Sequence, residues 1–435
     1  MSKQFSFDEL DKAMTKIDPL GSMMNINTFS RIDEWIGTGN YLLNAQICGS
    51  IFKVIPNSRS VMLSGESGCG KTFLSLNICR EAQQMGYHVI YGDSEAAVDE
   101  DLMIKFGLDP AKVRYQPFKT ALHVRHFTSN LCKSLKEKKA AGFEIPKILF
   151  ILDSLGNLAT EKELNDALSG SEKRDMTKQQ NLRSMFRVIT MDLAELKIPA
   201  VFTNHTYAAV GSYIPTQIVS GGGGAIYNAS GILVLSKAGL DDTEGEGKDV
   251  GLKKAGIIVT SKIYKSRFTR PIPIKFHISL YKGMNPYVGL ENFVSWETCG
   301  IGKGTLIEEI IETPQWEDEA QTIPKISRGK QKIERTSTGK FIYKEDPTAK
   351  TFAVKHLQKT VKGSALFTSE VFTHEVLVKL DDIIRPMFEL PKASMDDDEL
   401  NDILEIDDEE ISTSHEELFN ESNSAESFEM KKTNL

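Results

Sequence analysis

Val61-Met62-Leu63-Ser64-Gly65-Glu66-Ser67-Gly68-Cys69-Gly70-Lys71-Thr72 is the stretch that decides the fold. Its last eight residues satisfy G-x-x-x-x-G-K-[ST] in full, and the apolar run before them reads as a strand. From Thr72 to about Met85 the sequence reads as a helix. That context gives the motif its chemistry. The glycines let backbone N–H groups turn inward around phosphate oxygens at a helix N-terminus. Lys71 supplies a point charge to the β- and γ-phosphates, and the Thr72 hydroxyl is a Mg2+ ligand. The expected nucleotide set is Gly65, Glu66, Ser67, Gly68, Cys69, Gly70, Lys71 and Thr72, with ATP and Mg2+ as cofactors. Cys69 is read as a small residue of the loop and not as a nucleophile.

Outward from this loop, between about residues 58 and 280, short apolar strands alternate with helix-length segments. His88-Val-Ile-Tyr-Gly92 and the apolar run Ile148-Leu-Phe-Ile-Leu152 read as strands, the second as a buried parallel one. Residues 178–196 read as a helix, Ala200-Val-Phe-Thr-Asn204 opens another strand, and Ile232–Leu235 and Gly256–Thr260 follow. The alternation predicts an α/β domain with a largely parallel central sheet. Ahead of it, Ser6 and Glu9 have capping-box spacing, and Phe7, Leu10, Met14 and Ile17 form a helical apolar stripe that stops at Pro19 and Gly21. Such a stripe packs either on its own core or on a neighbouring subunit. We therefore divide the chain into an N-terminal helix and oligomerisation segment (1–57) and an ATPase core (58–300). A small mixed C-terminal domain (301–390) and an acidic tail (391–435) follow. In the third segment, Thr338–Tyr343 suggests a hairpin, and Thr373 to Ile384 a helix ending before Pro386.

Composition narrows the class. At 435 residues the chain exceeds one typical core, and 40% hydrophobic with 26% charged residues is ordinary for a globular protein. The five cysteines are scattered, with no CxxC pair, which argues against a zinc site or a disulfide scaffold. No signal peptide is evident, and no apolar run approaches the roughly 20 residues needed to span a bilayer, so a cytoplasmic protein with no membrane partner is expected. The net charge of −8 is unevenly spread. Residues 391–435 hold fifteen Asp and Glu against Lys392, Lys431 and Lys432, a net of −12, which leaves about +4 on the rest. The tail is expected to be disordered, and either to compete electrostatically with a polyanion bound by the basic body or to dock a basic partner.

Two carboxylates complete the expected chemistry. Asp153 ends the Ile148–Leu152 strand, where a Walker B aspartate would hold Mg2+ through water. An Asp at a strand end is common alone; after a complete phosphate loop it gains meaning. The attacking water needs a carboxylate to orient or deprotonate it, and Glu95 in Tyr91-Gly-Asp-Ser-Glu-Ala96, at the carboxyl end of the His88–Gly92 strand, is the candidate, with Asp93 and Glu100 as competitors.

Six further stretches carry a resemblance. They are Leu152–Thr160 (LDSLGNLAT), Asp175–Thr177, Arg183–Arg187, Thr203-Asn-His-Thr-Tyr207 with Gly221–Gly224, Lys265-Ser-Arg267, and Asn285–Leu290. In this order, over roughly residues 60–300, the chain resembles the UvsX-type recombinases of T-even-type bacteriophages, within the RecA recombinase family. The resemblance implies a RecA-type P-loop ATPase core. It implies an ATP-dependent recombinase that forms a homo-oligomeric helical filament on single-stranded DNA, pairs it with double-stranded DNA, and acts in the host cytoplasm. A single-stranded-DNA-binding protein and a recombination mediator are implied partners. Residues 300–435 and the N-terminal helix match only in general character.

Position by position, the resemblance implies catalytic roles for Glu95, Lys71, His205, Lys265 and Arg267. His205, beside Asn204, stands where relatives sense the γ-phosphate with a glutamine; the plain alternative is a core imidazole. Lys265 and Arg267 match a basic pair that reaches a neighbouring subunit's γ-phosphate, although Lys262 and Arg270 lie close and an ordinary basic strand end has the same look. Ser154 to about Met176 matches a first DNA loop, with Lys162, Lys173 and Arg174 available for phosphates. Thr206–Gly224 matches a second, with Tyr207, Tyr213, Gly221, Gly222 and Gly223. The phosphate loop is more regular here than in some phage relatives, so nucleotide details are not carried across. A hexameric DNA helicase of the same ATPase fold shares the phosphate loop, the Walker B aspartate and the cationic pair. The His205–Gly224 loop, and no primase-binding helical domain upstream, favour the recombinase. A regulatory ATP-binding clamp on a protein partner is a third reading, which lacks DNA-stimulated hydrolysis.

Overall fold

The computed structural model describes residues 6–391 except 19–20, 28, 30, 170–176, 209–216, 221, 242–253, 296–297, 299–300, 316–322, 336–339, 344–350, 354–363, 366–367 and 370. Between 301 and 365 only the backbone is described. Lys173, Arg174, Tyr213, Gly221 and the acidic tail from residue 392 lie outside the described residues.

Helix α1 spans Phe7–Ile17 and starts with the expected capping box: the Glu9 N–H donates to Ser6 Oγ at 3.2 Å, and the Ser6 N–H to Glu9 Oε2 at 3.1 Å. Its stripe of Phe7, Leu10, Met14 and Ile17 is exposed, from 38% to 85%, and no residue of α1 is buried. The stripe finds no cover among the described residues. After it, β1 (Trp35–Ile36), α2 (Tyr41–Cys48) and β2 (Ile55–Pro56) bring the chain to the main sheet. Helix α2 is almost wholly buried, and its polar side chains are satisfied: Gln46 Nε2 donates to the carbonyls of Ser261 and Ile272 at 2.9 and 2.8 Å.

The core then runs β3 (Ser60–Gly65), α3 (Lys71–Gln84), β4 (His88–Asp93), α4 (Glu100–Lys105), β5 (Val113–Pro117), α5 (Ala121–Ala140), β6 (Ile148–Asp153) and α6 (Glu161–Ser169). It continues with α7 (Lys178–Glu195), β7 (Ala200–Ala208), β8 (Gln217–Val219), α8 (Gly222–Asn228), β9 (Gly231–Asp241), β10 (Lys254–Ser266) and β11 (Ile274–Ser279). The strand order is β11-β10-β9-β3-β7-β6-β4-β5, with β8 attached to the end of β7. From β9 to β5 every neighbour is parallel, while β10 and β11 add an antiparallel edge. The apolar runs of the strands divide by period two between two cores, as a sheet covered on both faces requires. Val61, Leu63, Tyr91 and Ile151 pack on the α2 and α3 side, whereas Met62, Ile90, Phe150 and Phe202 pack on the α5 and α7 side.

Two loop expectations are corrected in part. The stretch Ser154–Met176 contains α6, which opens on a second capping box: the Glu163 N–H donates to Thr160 Oγ1 at 3.0 Å, and the Thr160 N–H to Glu163 Oε2 at 2.8 Å. Within Thr206–Gly224, residues 206–208 extend β7 and pair with β8, and the glycine run opens α8. A Cβ on Gly224 would lie 2.5 Å from Arg183 Cα, so this glycine serves close packing of α8 on α7.

Beyond residue 300 the backbone forms β12 (Ile301–Gln315), β13 (Ile323–Arg335), β14 (Lys340–Tyr343), β15 (Thr351–Ala353) and β16 (Ser364–Ala365), a sheet ordered β13-β12-β14-β15-β16. Helix α9 (His374–Phe388) passes through Pro386 instead of ending before it. Pro386 and Asp382, whose carbonyl loses its partner, are both exposed, so water replaces the missing bond. Meanwhile Leu377, Leu380, Ile384 and Phe388 are buried in the α2–α3 core, and that packing outweighs the local proline cost. Asp381, 2% exposed, locks α9 in place: it accepts from the Ile51 N–H at 2.8 Å and Ser50 Oγ at 3.1 Å, and pairs with Arg385. Replacing Asp381 by Ala should lower stability by about 3 kcal/mol in denaturant unfolding, because these buried donors lose their acceptor. A loss under about 0.5 kcal/mol, the size of an ordinary surface change, would contradict the lock.

Candidate active site

The carboxyl ends of β3, β4, β6, β7 and β9 meet at one edge of the sheet. The register sets Gly65 beside both His205 and Leu235, and Asp93 beside Asp153. The phosphate loop leaves β3 there. Its first glycine is required by crowding, since a Cβ on Gly65 would lie 2.4 Å from the Leu235 carbonyl oxygen and 2.6 Å from Cys69 Sγ. Gly70, at φ +92°, turns the chain into α3 with no side-chain cap, which leaves the first-turn N–H groups of α3 to an anion. Lys71 Nζ donates to the carbonyls of Gly65 and Glu66, each at 2.8 Å, inside the curl of the loop. Cys69 is fully buried, and burial pushes its thiol above the ordinary range, so it stays a neutral packing group.

Asp153 is 4% exposed, and its charge is matched by hydroxyls. Oδ2 accepts from Thr72 Oγ1 at 2.7 Å and from Tyr91 OH at 2.9 Å, and Oδ1 accepts from Thr203 Oγ1. Burial, with the Asp153 charge beside it, pushes the Tyr91 phenol well above its ordinary value and keeps it a donor. A hydroxyl and a carboxylate in contact at the end of a phosphate loop suit Mg2+, which takes few protein ligands and completes its shell with phosphate and water. With its oxygens already accepting, Asp153 fits a role through water. Among the described residues no group of three or more His, Cys, Asp or Glu could hold a metal alone.

Of the three candidate carboxylates, Glu95 is the one that contacts Ser154, next to Asp153, and His205 on β7. Asp93 is buried, and its oxygens accept from the N–H groups of Glu95, Ala96 and Ala97 at 2.7, 2.8 and 3.1 Å, so it shapes the turn that presents Glu95. Glu100 is spent in the first turn of α4. Glu95 Oε1 accepts from Ser154 Oγ at 2.5 Å and lies 3.2 Å from His205 Nε2. His205 is only partly buried, so it is not a core imidazole; its ring fills the space over Gly156, where a Cβ would lie 2.5 Å from Cδ2.

The remaining expected residues occupy two other regions. Lys162 is exposed on α6, and Tyr207, 60% exposed, stands near the end of β7; Gly222 and Gly223 begin α8. Lys265 and Arg267 belong to the opposite edge of the sheet. Lys265 pairs with Ile232 of β9, whereas Gly65 pairs with Leu235, three residues or about 10 Å further along the same strand. There Lys265 Nζ donates to the carbonyls of Ile226 and Tyr227 at 2.7 and 2.9 Å, and Arg267 Nη2 to that of Tyr227 at 3.4 Å. Burial and the Arg267 charge lower Lys265 below its ordinary value, and Arg59 is lowered in the same way. Sequence reading missed several partners: Tyr91, Thr203 and Ser154 around the carboxylates, and Lys237, which donates to the Ser67 carbonyl at 2.7 Å. Only their alternation along strands and strand ends could have signalled them.

Comparison with known proteins gives the family. The RecA N-terminal domain family matches residues 6–283. The chain is 27% identical over 287 residues to the recombination and repair protein of Enterobacteria phage T4, a match covering 65% of this chain and 63% of that protein. It therefore spans a little under two thirds of the phage relative's length. Against a protein RecA of Thermus thermophilus it is 24% identical over 344 residues, covering 74% of this chain and 94% of the relative. Against protein RecA of Rhodopirellula baltica it is 25% identical over 319 residues, covering 73% and 74%. Since the family match begins at α1 and takes in every strand of the central sheet, the chain belongs to the RecA family.

Proposed function

We propose that this protein is an ATP-dependent DNA recombinase of the phage type, which assembles a helical filament on single-stranded DNA, pairs it with homologous duplex, and hydrolyses ATP between subunits. The observation that carries this reading is the separation of Lys265 and Arg267 from their own phosphate loop by the depth of the sheet. A cationic pair at the far edge serves a phosphate only when a second copy stacks on it, as a heterologous, head-to-tail interface does. The uncovered stripe of α1 supports the same stacking, since an apolar helix face needs a partner surface.

Within a composite site the roles divide by position. The N–H groups of the Gly65–Thr72 loop and Lys71 hold the β- and γ-phosphates, while Thr72 and Asp153 would hold Mg2+, which neutralises phosphate charge when bound. Glu95 takes the proton of the attacking water, and the next subunit's Lys265 and Arg267 stabilise charge on the transferring phosphate. His205 lies at the root of the Thr206–Gly224 segment and beside Gly156 at the root of the Ser154–Met176 segment. A γ-phosphate engaging His205 would therefore bias both segments toward ordering on a DNA backbone, coupling nucleotide state to DNA affinity. Lys162, Lys173, Arg174, Tyr207, Tyr213 and the glycines 221–223 are the DNA-contacting candidates.

Single-stranded DNA should stimulate ATP turnover, and Lys71→Ala should abolish it, whereas Cys69→Ala should keep turnover within about threefold of the unaltered chain, as a buried packing group would. Robust hydrolysis by Lys71→Ala would show the site to be elsewhere. The shared site makes a second outcome testable. Glu95→Gln and the Lys265→Ala, Arg267→Ala double variant should each keep only a small but measurable residual turnover alone, yet mixing them should raise it well above either, because one class of interface then holds both an intact base and intact cations. No recovery in mixtures that still co-assemble would place the cations in cis.

A further inference from the structure

Glu95 sits on a loop after β4, yet the mechanism above asks its carboxylate to hold one direction. The structure supplies an anchor for it. Ser154, the residue after β6, is fully buried. Its N–H donates to Ser94 Oγ at 2.9 Å, Ser94 Oγ donates to the Ser154 carbonyl at 2.7 Å, and the Ser94 N–H donates to the Asp153 carbonyl at 2.9 Å. These three bonds fasten the loop after β4 to the end of β6, one residue from the candidate base. From that fixed point Ser154 Oγ donates to Glu95 Oε1 at 2.5 Å, and it lies 3.4 Å from His205 Nε2. Ser154, Glu95 and His205 thus close a triangle, since His205 Nε2 is itself 3.2 Å from the same oxygen, Glu95 Oε1. Both contacts fall on Oε1; Oε2 has no hydrogen-bond partner among the described residues.

We propose that Ser154 is a positioning residue for the general base: its hydroxyl clamps Glu95 Oε1 against His205, which leaves Oε2 to take the proton from water. The inference rests on Glu95 being that base. Its physical content is pre-organisation, because a glutamate held at one oxygen by a buried donor has lost the rotamer freedom it would otherwise lose in the transition state. The same hydroxyl faces the ring of His205, so the direction of the base and the position of the γ-phosphate sensor are set by one group.

The test uses the full chain with single-stranded DNA. Ser154→Ala removes one oxygen from a packed site and leaves the Walker residues intact. It should lower kcat for ATP about tenfold, the size of one hydrogen bond to a charged group, with KM changed less than about twofold. In a Glu95→Gln background the same change should have little further effect on kcat, because Ser154 acts through the carboxylate. Wild-type kcat in Ser154→Ala, a loss carried by KM, or an equal additional loss in the Glu95→Gln background would overturn the proposal. Full turnover by Glu95→Gln would instead remove the base assignment, a result distinct from a strongly slowed Glu95→Gln beside an unimpaired Ser154→Ala.

Discussion

The buried carboxylate of Asp153 is the constraint on which the rest of the site depends. It accepts hydrogen bonds from Thr72 on α3, Tyr91 on β4 and Thr203 on β7, so three separate elements converge on it. A carboxylate at this depth is costly unless donors surround it, so the three hydroxyls and the charge require one another. The parallel register places them within reach, with Asp153 level with Asp93 on one side and Leu152 level with Phe202 on the other. The phosphate loop, the strand that leads to Glu95 and the strand that carries His205 are thereby referred to one point.

From that point the geometry extends outward in two directions. Toward solvent, Glu95, Ser154 and His205 form a contact triangle at the roots of both segments read as DNA-binding. Across the sheet, Lys265 and Arg267 donate to the last carbonyls of α8, the helix that closes the second of those segments. Cations at a helix C-terminus are favourable in themselves, and these would exchange that partner for a phosphate of a neighbouring copy. Among the described carboxylates at these strand ends, Asp93 is consumed in shaping the turn that presents Glu95.

Much of this was legible in the sequence, for reasons that differ by element. The phosphate loop was legible because its chemistry demands particular residues at particular positions, and β4, β6 and β7 because a parallel strand covered on both faces is apolar without interruption. The α1 cap was legible from Ser6 and Glu9. Its counterpart Thr160–Glu163 was equally readable but was hidden by the expectation of a loop. Helix α2 was not legible, since burial all around Tyr41–Cys48 erases the amphipathic period. Helix α9 outran its expected end because four buried apolar side chains decide the matter against Pro386, and that packing is invisible locally. The roles of Ser154, Tyr91 and Thr203 arise from strand register, which no spacing along the chain encodes. For the side chains proposed to contact DNA, sequence resemblance supplies the reading, and the geometry adds where Lys162 and Tyr207 stand.

On this reading, copies of the chain stack in an open helix around DNA, each completing its neighbour's site. Electron microscopy of the full chain with single-stranded DNA and a non-hydrolysable ATP analogue tests it most directly. Continuous helical filaments that fail to form without nucleotide are the predicted result. Closed rings on the same DNA would contradict it and point to a helicase-like motor built on the same fold.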